Sequence, residues 1–191
     1  MTAVHLTAED FEARYRADPD PWAYTSSDYE RLKYDATLDA CGAGPFQRAL
    51  ELGASIGVFS VRLAPRCRTL ETIDGAPTAV ADARRRLAGL PQVQPILGAI
   101  PEAIPDGSFE LVVASEILYY LQPPALAETL ARLRDRLAPG GRLVAVHWRP
   151  PGPERPFTAA EVHDRLRRQT WLAPVRSAPT EDYLLDVLER R

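Results

Sequence analysis

The segment "RALELGASIGVFSVRL" (48–63) constrains the fold more than any other stretch of this 191-residue chain. The apolar run "RALEL" (48–52) ends at Gly53, Ser55 and Gly57, and helical spacing follows at once in "GVFSVRLAPR". Without a Cβ at Gly53, a buried strand can turn sharply into a helix. The later chain repeats this alternation. "TLETID" (69–74), "VQPIL" (93–97), "FELVVAS" (109–115) and "RLVAVHW" (142–148) read as strands, and the nearly all-apolar "FELVVAS" predicts burial on both faces. Pro77 takes the first-turn position of "PTAVADARRRLAGL", where its missing N–H costs nothing. "PPALAETLARLRDRLAPGG" starts a helix at Pro123 and Pro124, and Pro139-Gly140-Gly141 is expected to stop it. "TAAEVHDRLRRQT" reads as another helix, with "LAPVRSA" and "YLLDVLE" as closing strands. Strands alternating with helices predict an α/β fold, a Rossmann-like doubly wound sheet with helices on both faces.

Residues 1–45 carry no strand signal and predict a helical lid or cap on a core spanning 46–191, all within a single domain. Thr7 with Asp10 and Ser27 with Glu30 resemble capping pairs, and the turn-rich "DPDPWAYTSS" lies between them. The proline-rich "RPPGPERP" (149–156) reads as a surface loop. At 46% hydrophobic and 26% charged, the composition suits one globular unit. A net charge of −3 gives no basic field to attract nucleic acid, and Arg84-Arg85-Arg86 is read as a solvated helix face. No apolar run approaches the ~20 residues needed to span a bilayer. The opening "MTAVHLTAEDFEARY" lacks an apolar run behind basic residues, so no secretory signal is expected. Cys41 and Cys67 match no zinc or redox spacing and are read as reduced thiols in a cytoplasmic protein; no metal is expected.

"GASIG" admits two chemistries. As G-x-S-x-G it is the nucleophile elbow of a serine hydrolase, and the order Ser55…Glu116…His147 fits Ser…acid…His superficially. However, only about 45 helical or irregular residues precede the strand, where a hydrolase needs several strands and an oxyanion-hole loop. As a cofactor loop it gains independent support. Gly57 begins a helix whose free N–H groups favour an electron-rich ligand group. Asp74 closes the second strand 21 residues after Gly53, where an acidic side chain accepts from ribose hydroxyls. The loop, Asp74, Ala99–Ile100, Ser115–Glu116 and His147 all fall at strand carboxyl ends, where ligands of such sheets bind. Serine in place of the middle glycine counts against a nicotinamide or flavin enzyme, whose pyrophosphate must approach that backbone closely.

"ELGASIG", "TIDGAP", "FELVVASEILYYL" and "LAPGGRLVAVHW" resemble the successive motifs of class I S-adenosylmethionine-dependent methyltransferases. "DPDPWAY…YERLKY", "GASIG" and "VAVHWRPP" further resemble the nodulation protein S type of N-methyltransferase, which methylates a free amine on a chitooligosaccharide. The resemblance implies seven strands with the last antiparallel. It implies S-adenosylmethionine as cofactor, S-adenosylhomocysteine as product and a small-molecule or sugar acceptor, with O-methylation as the near alternative. Gly53, Ser55 and Gly57 would lie against the methionine part, Asp74 and Gly75 at the ribose, Ala99 and Ile100 beside the adenine, and the Ser115 carbonyl at the methionine ammonium. The acidic residue many members place near position 99 is missing, which leaves backbone groups or Glu102 to read the adenine.

Methyl transfer is an in-line displacement from a sulfonium, so alignment supplies most of the catalysis and a base adds to it. Glu116 and His147 are the candidate bases, and Tyr119 or Tyr120 would line the acceptor site. Trp22–Tyr34 is the candidate lid, with Trp22 and Tyr29 against the cofactor and Arg31 paired with the methionine carboxylate. His5 and His163 are read as solvated surface.

Overall fold

The computed structural model describes residues 6–191; His5 lies outside them. In chain order the elements are α1 (Ala8–Ala17), α2 (Asp28–Cys41), β1 (Ala49–Leu52), α3 (Val58–Leu63), β2 (Leu70–Asp74), α4 (Pro77–Arg86) and β3 (Val93–Leu97). They continue with β4 (Phe109–Ser115), α5 (Pro123–Arg136), β5 (Leu137–Trp148), α6 (Ala159–Arg167), β6 (Leu172–Ser177) and β7 (Tyr183–Arg190). The strands form one sheet in the order β3-β2-β1-β4-β5-β7-β6. β7, the last in sequence, runs antiparallel to both neighbours, and the other strand pairs are parallel. The order reverses between β1 and β4, and a crevice opens at such a switch point above the strand carboxyl ends.

Period-two alternation sends successive side chains to two separate cores. Leu50, Leu52, Val112, Ala114, Leu143 and Ala145 pack under α5 and α6. Ala49, Leu111, Val113, Val144 and Val146 pack under α2, α3 and α4, joined by the free thiols Cys41 and Cys67. The strand run therefore reads as continuously apolar because both faces are covered. Helix α5 stops at Arg136, and Leu137 already pairs with Phe109. The Pro139-Gly140-Gly141 stop lies inside β5, where it accompanies a register shift against β4. Proline and glycine here mark an irregularity within a strand rather than the end of a helix.

The N-terminal segment is more than a lid. Ala40 and Cys41 of α2 are buried in the sheet's helical layer, and only its first turns reach the crevice. Helix α1 begins with a complete capping box between Thr7 and Asp10. It is anchored by Glu12, whose carboxylate accepts from the backbone N–H of Thr78 at 2.8 Å and its hydroxyl at 2.7 Å, at the N-terminus of α4. Among the described residues no helix is long and apolar enough to cross a membrane.

Glu51, at the end of β1, is buried and accepts a 2.6 Å hydrogen bond from Ser60. Burial pushes its carboxyl up to about 8, against the pull of the Ser60 hydroxyl. The folded state then binds a proton that the unfolded chain has released, so stability falls as pH rises from the ordinary carboxylate range to about 8. The slope should reach about 1.4 kcal/mol per pH unit. Glu51→Gln is expected to flatten that slope in denaturant titrations between pH 5 and 8; a parallel pair of curves would contradict it.

Candidate functional site

A cavity of about 770 Å³ lies across the strand ends. One arm runs over β2 and β3, lined by Asp74, Gly75, Gly98, Ala99 and Ile100. Gly53, Ser55 and Ser115 line its middle, and Glu116, Trp148 and Asp182 line the arm over β4, β5 and β7. Phe11, Tyr15, Trp22 and Tyr24 roof it as a connected aromatic group, with Trp22 ring centroids 5.5 Å from Tyr15 and 5.8 Å from Tyr24.

The loop after β1 is shaped by close approaches. A Cβ at Gly53 would stand 2.9 Å from the Ile117 side chain, and its φ of +71° already favours glycine. Gly57 has φ +78°, and a Cβ there would stand 3.2 Å from Ala83 of α4 and from Leu87 just past its end, so it seats α3 on α4 and lies outside the cavity lining. Ser55 and Glu116 are non-glycine residues at φ +52° and +56°, both at the site. Each holds of order 1–3 kcal/mol of backbone strain, which clusters where a structure must aim its groups.

Asp74 organises the first arm. Its Oδ2 accepts from the Ser55 N–H at 2.8 Å and its Oδ1 from the Ala76 N–H at 2.9 Å. Burial raises its carboxyl above the ordinary range, against these backbone donors. The Ser55 N–H, which a pyrophosphate would require, is therefore engaged by a carboxylate. Ser55 Oγ accepts from the Tyr15 hydroxyl at 2.5 Å.

Lys33, the chain's single lysine, anchors the second arm. It is buried and donates to Glu30 Oε1 at 2.9 Å and Glu116 Oε1 at 2.8 Å. Burial alone would lower its pKa, but the two carboxylates outweigh it and hold the ammonium above its ordinary value. Glu116 Oε2 accepts from the Trp148 N–H at 3.0 Å and from the Tyr119 hydroxyl. Arg155 lies over the Tyr119 ring at 4.5 Å and the Trp148 ring at 5.1 Å. Three buried polar atoms here lack a hydrogen-bond partner among the described residues, Glu30 Oε2, Tyr29 Oη and Arg155 Nε.

Several sequence-predicted residues lie elsewhere. Arg31 is exposed on α2, paired with Asp28 and Asp35. The Glu102 side chain is exposed and outside the cavity. His147 is fully buried beneath the floor: its Nε2 accepts from the Leu118 N–H at 3.2 Å, and its Nδ1 faces His163 Nε2 at 3.1 Å. The Leu118 donor makes Nδ1 the protonated nitrogen of His147. His163 is also fully buried rather than solvated, and its Nδ1 meets Asp186 at 2.8 Å. Asp186, held at about 2 by His163 and Arg167 against its burial, closes the chain. Burial and neighbouring His163 lower the His147 pKa well below the imidazole range, so it stays neutral. It braces the Ile117–Leu118 backbone instead of meeting a substrate.

The hydrolase triad fails on geometry, because the Ser55 hydroxyl is bonded to Tyr15 and both His147 nitrogens are engaged elsewhere. Ser27 caps α2, but Glu30 turns to Lys33 instead of completing a capping box. Glu30, Lys33, Tyr15 and Arg155 were missed as site residues. The Glu30–Lys33 spacing within "YERLKY", holding the single lysine, is the signal that points to the first two.

A family model described as "Nodulation protein S (NodS)" matches residues 6–149. Nodulation protein S of Rhizobium tropici is 34% identical over 133 residues, 69% of this chain and 56% of that protein. The chain spans little more than half the length of that curated relative. The crystal structure of the N-methyltransferase NodS from Bradyrhizobium japonicum, in complex with S-adenosyl-L-homocysteine, is 26% identical with a TM-score of 0.86, covering 96% of this chain and 98% of that one. A putative methyltransferase from Pseudomonas syringae is 34% identical with a TM-score of 0.74, covering 85% and 99%.

Proposed function

Because the chain belongs to the nodulation protein S (NodS) family, we propose that it transfers a methyl group from S-adenosylmethionine to an amine nitrogen of a small molecule or amino sugar. The observation that carries this reading is the paired use of Asp74 and the Ser55 N–H. Asp74 accepts the Ser55 N–H at Oδ2 and the Ala76 N–H at Oδ1, with the Gly75 N–H also drawing on the carboxylate, and its remaining lone pairs suit a ribose diol. The loop keeps no free N–H at Ser55 for a phosphate, and S-adenosylmethionine has none. The cavity volume and aromatic roof also suit a nucleoside.

When bound, S-adenosylmethionine supplies an electrophilic methyl on a sulfonium. The chain's own groups position and shield. Asp74 would hold the ribose end, and Ser115, which lines the middle of the cavity, would offer its carbonyl to the methionine ammonium. Phe11, Tyr15 and Trp22 exclude water from above. Glu116, engaged by Lys33, Tyr119 and the Trp148 N–H, fixes the walls of the acceptor arm rather than serving as a free base. Alignment of this kind supplies on the order of 7–11 kcal/mol. The two buried free thiols, Cys41 and Cys67, fit a reducing compartment such as the cytoplasm.

Ser55→Ala separates this reading from hydrolysis. It removes the acceptor of the Tyr15 hydroxyl, a cost of about 1–3 kcal/mol in stability. Methyl transfer to an amine, followed by mass spectrometry, should persist within roughly tenfold of wild type. Loss of nearly all turnover would return Ser55 to the chemistry.

A further inference from the structure

The strand order separates the cavity's two ends. Asp74 and Gly98 lie beyond β1 on the β2–β3 side, while Glu116, Trp148 and Asp182 lie on the β4–β5–β7 side. The first turns of α2 project Tyr29, Glu30 and Lys33 into this second end. Glu30 is only 8% exposed, yet just one of its carboxylate oxygens is used: Oε1 bonds Lys33, and Oε2 has no partner among the described residues. The neighbouring Tyr29 hydroxyl is buried and unpartnered as well. On this side the lining carries the carboxylates of Glu30, Glu116, Glu154 and Asp182 against the cations of Lys33 and Arg155, two negative charges more than positive, in a wall that includes Tyr24 and Trp148. A buried carboxylate oxygen without a donor is costly, and native structures rarely retain one without a use. Burial accordingly pushes the Glu30 carboxyl above its ordinary range, despite the opposing pull of Lys33.

Resting on the methyltransferase reading, we propose that Glu30 Oε2 and Tyr29 Oη form the subsite that takes up the acceptor as a primary ammonium, that Glu30 Oε2 then accepts one N–H proton so that the freed nitrogen lone pair attacks the methyl, and that this pair so selects amines over hydroxyl acceptors. An ammonium brings three donors and a positive charge, which match an unused carboxylate oxygen, a phenol oxygen and the excess negative charge. Aromatic faces add attraction for the cation, although one face of Tyr29 is already met by Lys33 at 5.1 Å. A hydroxyl acceptor brings one donor and no charge, and would leave the site unneutralised. Tyr29 thereby moves from the cofactor, where its sequence neighbourhood put it, to the acceptor.

Calorimetry on the protein saturated with S-adenosylhomocysteine tests this without turnover. The probes are D-glucosamine, its fully deacetylated oligomers from dimer to pentamer, and phenethylamine, each beside its N-acetyl or hydroxyl counterpart. At least one amine should bind while its uncharged counterpart does not. Glu30→Gln, which keeps an oxygen for Lys33, should weaken that amine roughly tenfold or more, and Tyr29→Phe about threefold or more. Both variants should retain wild-type affinity for S-adenosylhomocysteine, which also shows that they fold. Amine affinity unchanged in Glu30→Gln overturns the proposal. So does a parallel loss of S-adenosylhomocysteine affinity, which would assign Glu30 to the cofactor, and so does failure of every amine to bind the wild-type complex. If wild type binds no S-adenosylhomocysteine, the methyltransferase reading falls first and takes this one with it.

Discussion

Asp74→Ala is expected to weaken S-adenosylhomocysteine binding roughly 100-fold, about 2.8 kcal/mol, while leaving the ligand-free protein folded. The carboxylate is the proposed acceptor for both ribose hydroxyls, and hydrogen bonds to a charged group are worth about 1.5–3 kcal/mol each. It also tethers the Ser55 and Ala76 N–H groups, so the loop loses two supports together with the ligand contact. Asp74→Asn separates these contributions, since its single carbonyl oxygen can keep one tether but carries no charge. Burial raises the Asp74 carboxyl above its ordinary range, so the ionised group costs the folded state stability as pH rises past the carboxylate range. Asp74→Asn should therefore melt no lower than wild type at pH 7, yet gain much less from added ligand. An unchanged affinity in either variant would remove Asp74 from the site.

Lys33→Met is expected to be the most destabilising single substitution at the site, and worse than Glu116→Gln. The lysine sits between Glu30 and Glu116, so its removal strands two buried carboxylates, whereas Glu116→Gln leaves Lys33 paired with Glu30. Breaking a buried pair by deleting one partner costs about 3–5 kcal/mol. For a chain of this size each kcal/mol moves Tm by roughly 2–4 °C, so a fall of roughly 6–20 °C is expected for Lys33→Met. The raised pKa of Lys33 means that this stabilisation is complete throughout the neutral range and is lost only as pH climbs above the ordinary lysine value. Differential scanning calorimetry of the two variants reads the order directly. Equal losses would show that Lys33 does not serve both carboxylates.

Much of this architecture is legible in the chain because parallel strands covered on both faces leave continuous apolar runs. "FELVVAS" is such a run and coincides with β4 to the residue; "VQPIL" coincides with β3, although that edge strand is only partly covered. The start of β5 is not legible, because Pro139-Gly140-Gly141 carries the composition of a helix stop and only pairing with Phe109 across the sheet makes it strand. The two histidines hide for a related reason. The spacing of Ala159, Val162, His163 and Leu166 on α6 is an apolar stripe, and a histidine within it belongs inside. What tolerates it there is Asp186, 23 residues away and delivered by the antiparallel β7. Arg31 illustrates the converse. Residue type pointed to a carboxylate partner, but two positions along a helix turn a side chain to another face, so the cavity receives Lys33 and solvent receives Arg31. The strand ends are legible because topology fixes them; the face to which a strand-end side chain such as His147 turns, and the rotation of the covering helices about their axes, are not set by the strand pattern.

Titrating S-adenosylhomocysteine into the wild-type protein by calorimetry tests the central claim most directly. Saturable binding at one site per chain, weakened in Asp74→Ala, is the expected result. The absence of any binding by the folded protein would contradict the assignment of this cavity to the cofactor.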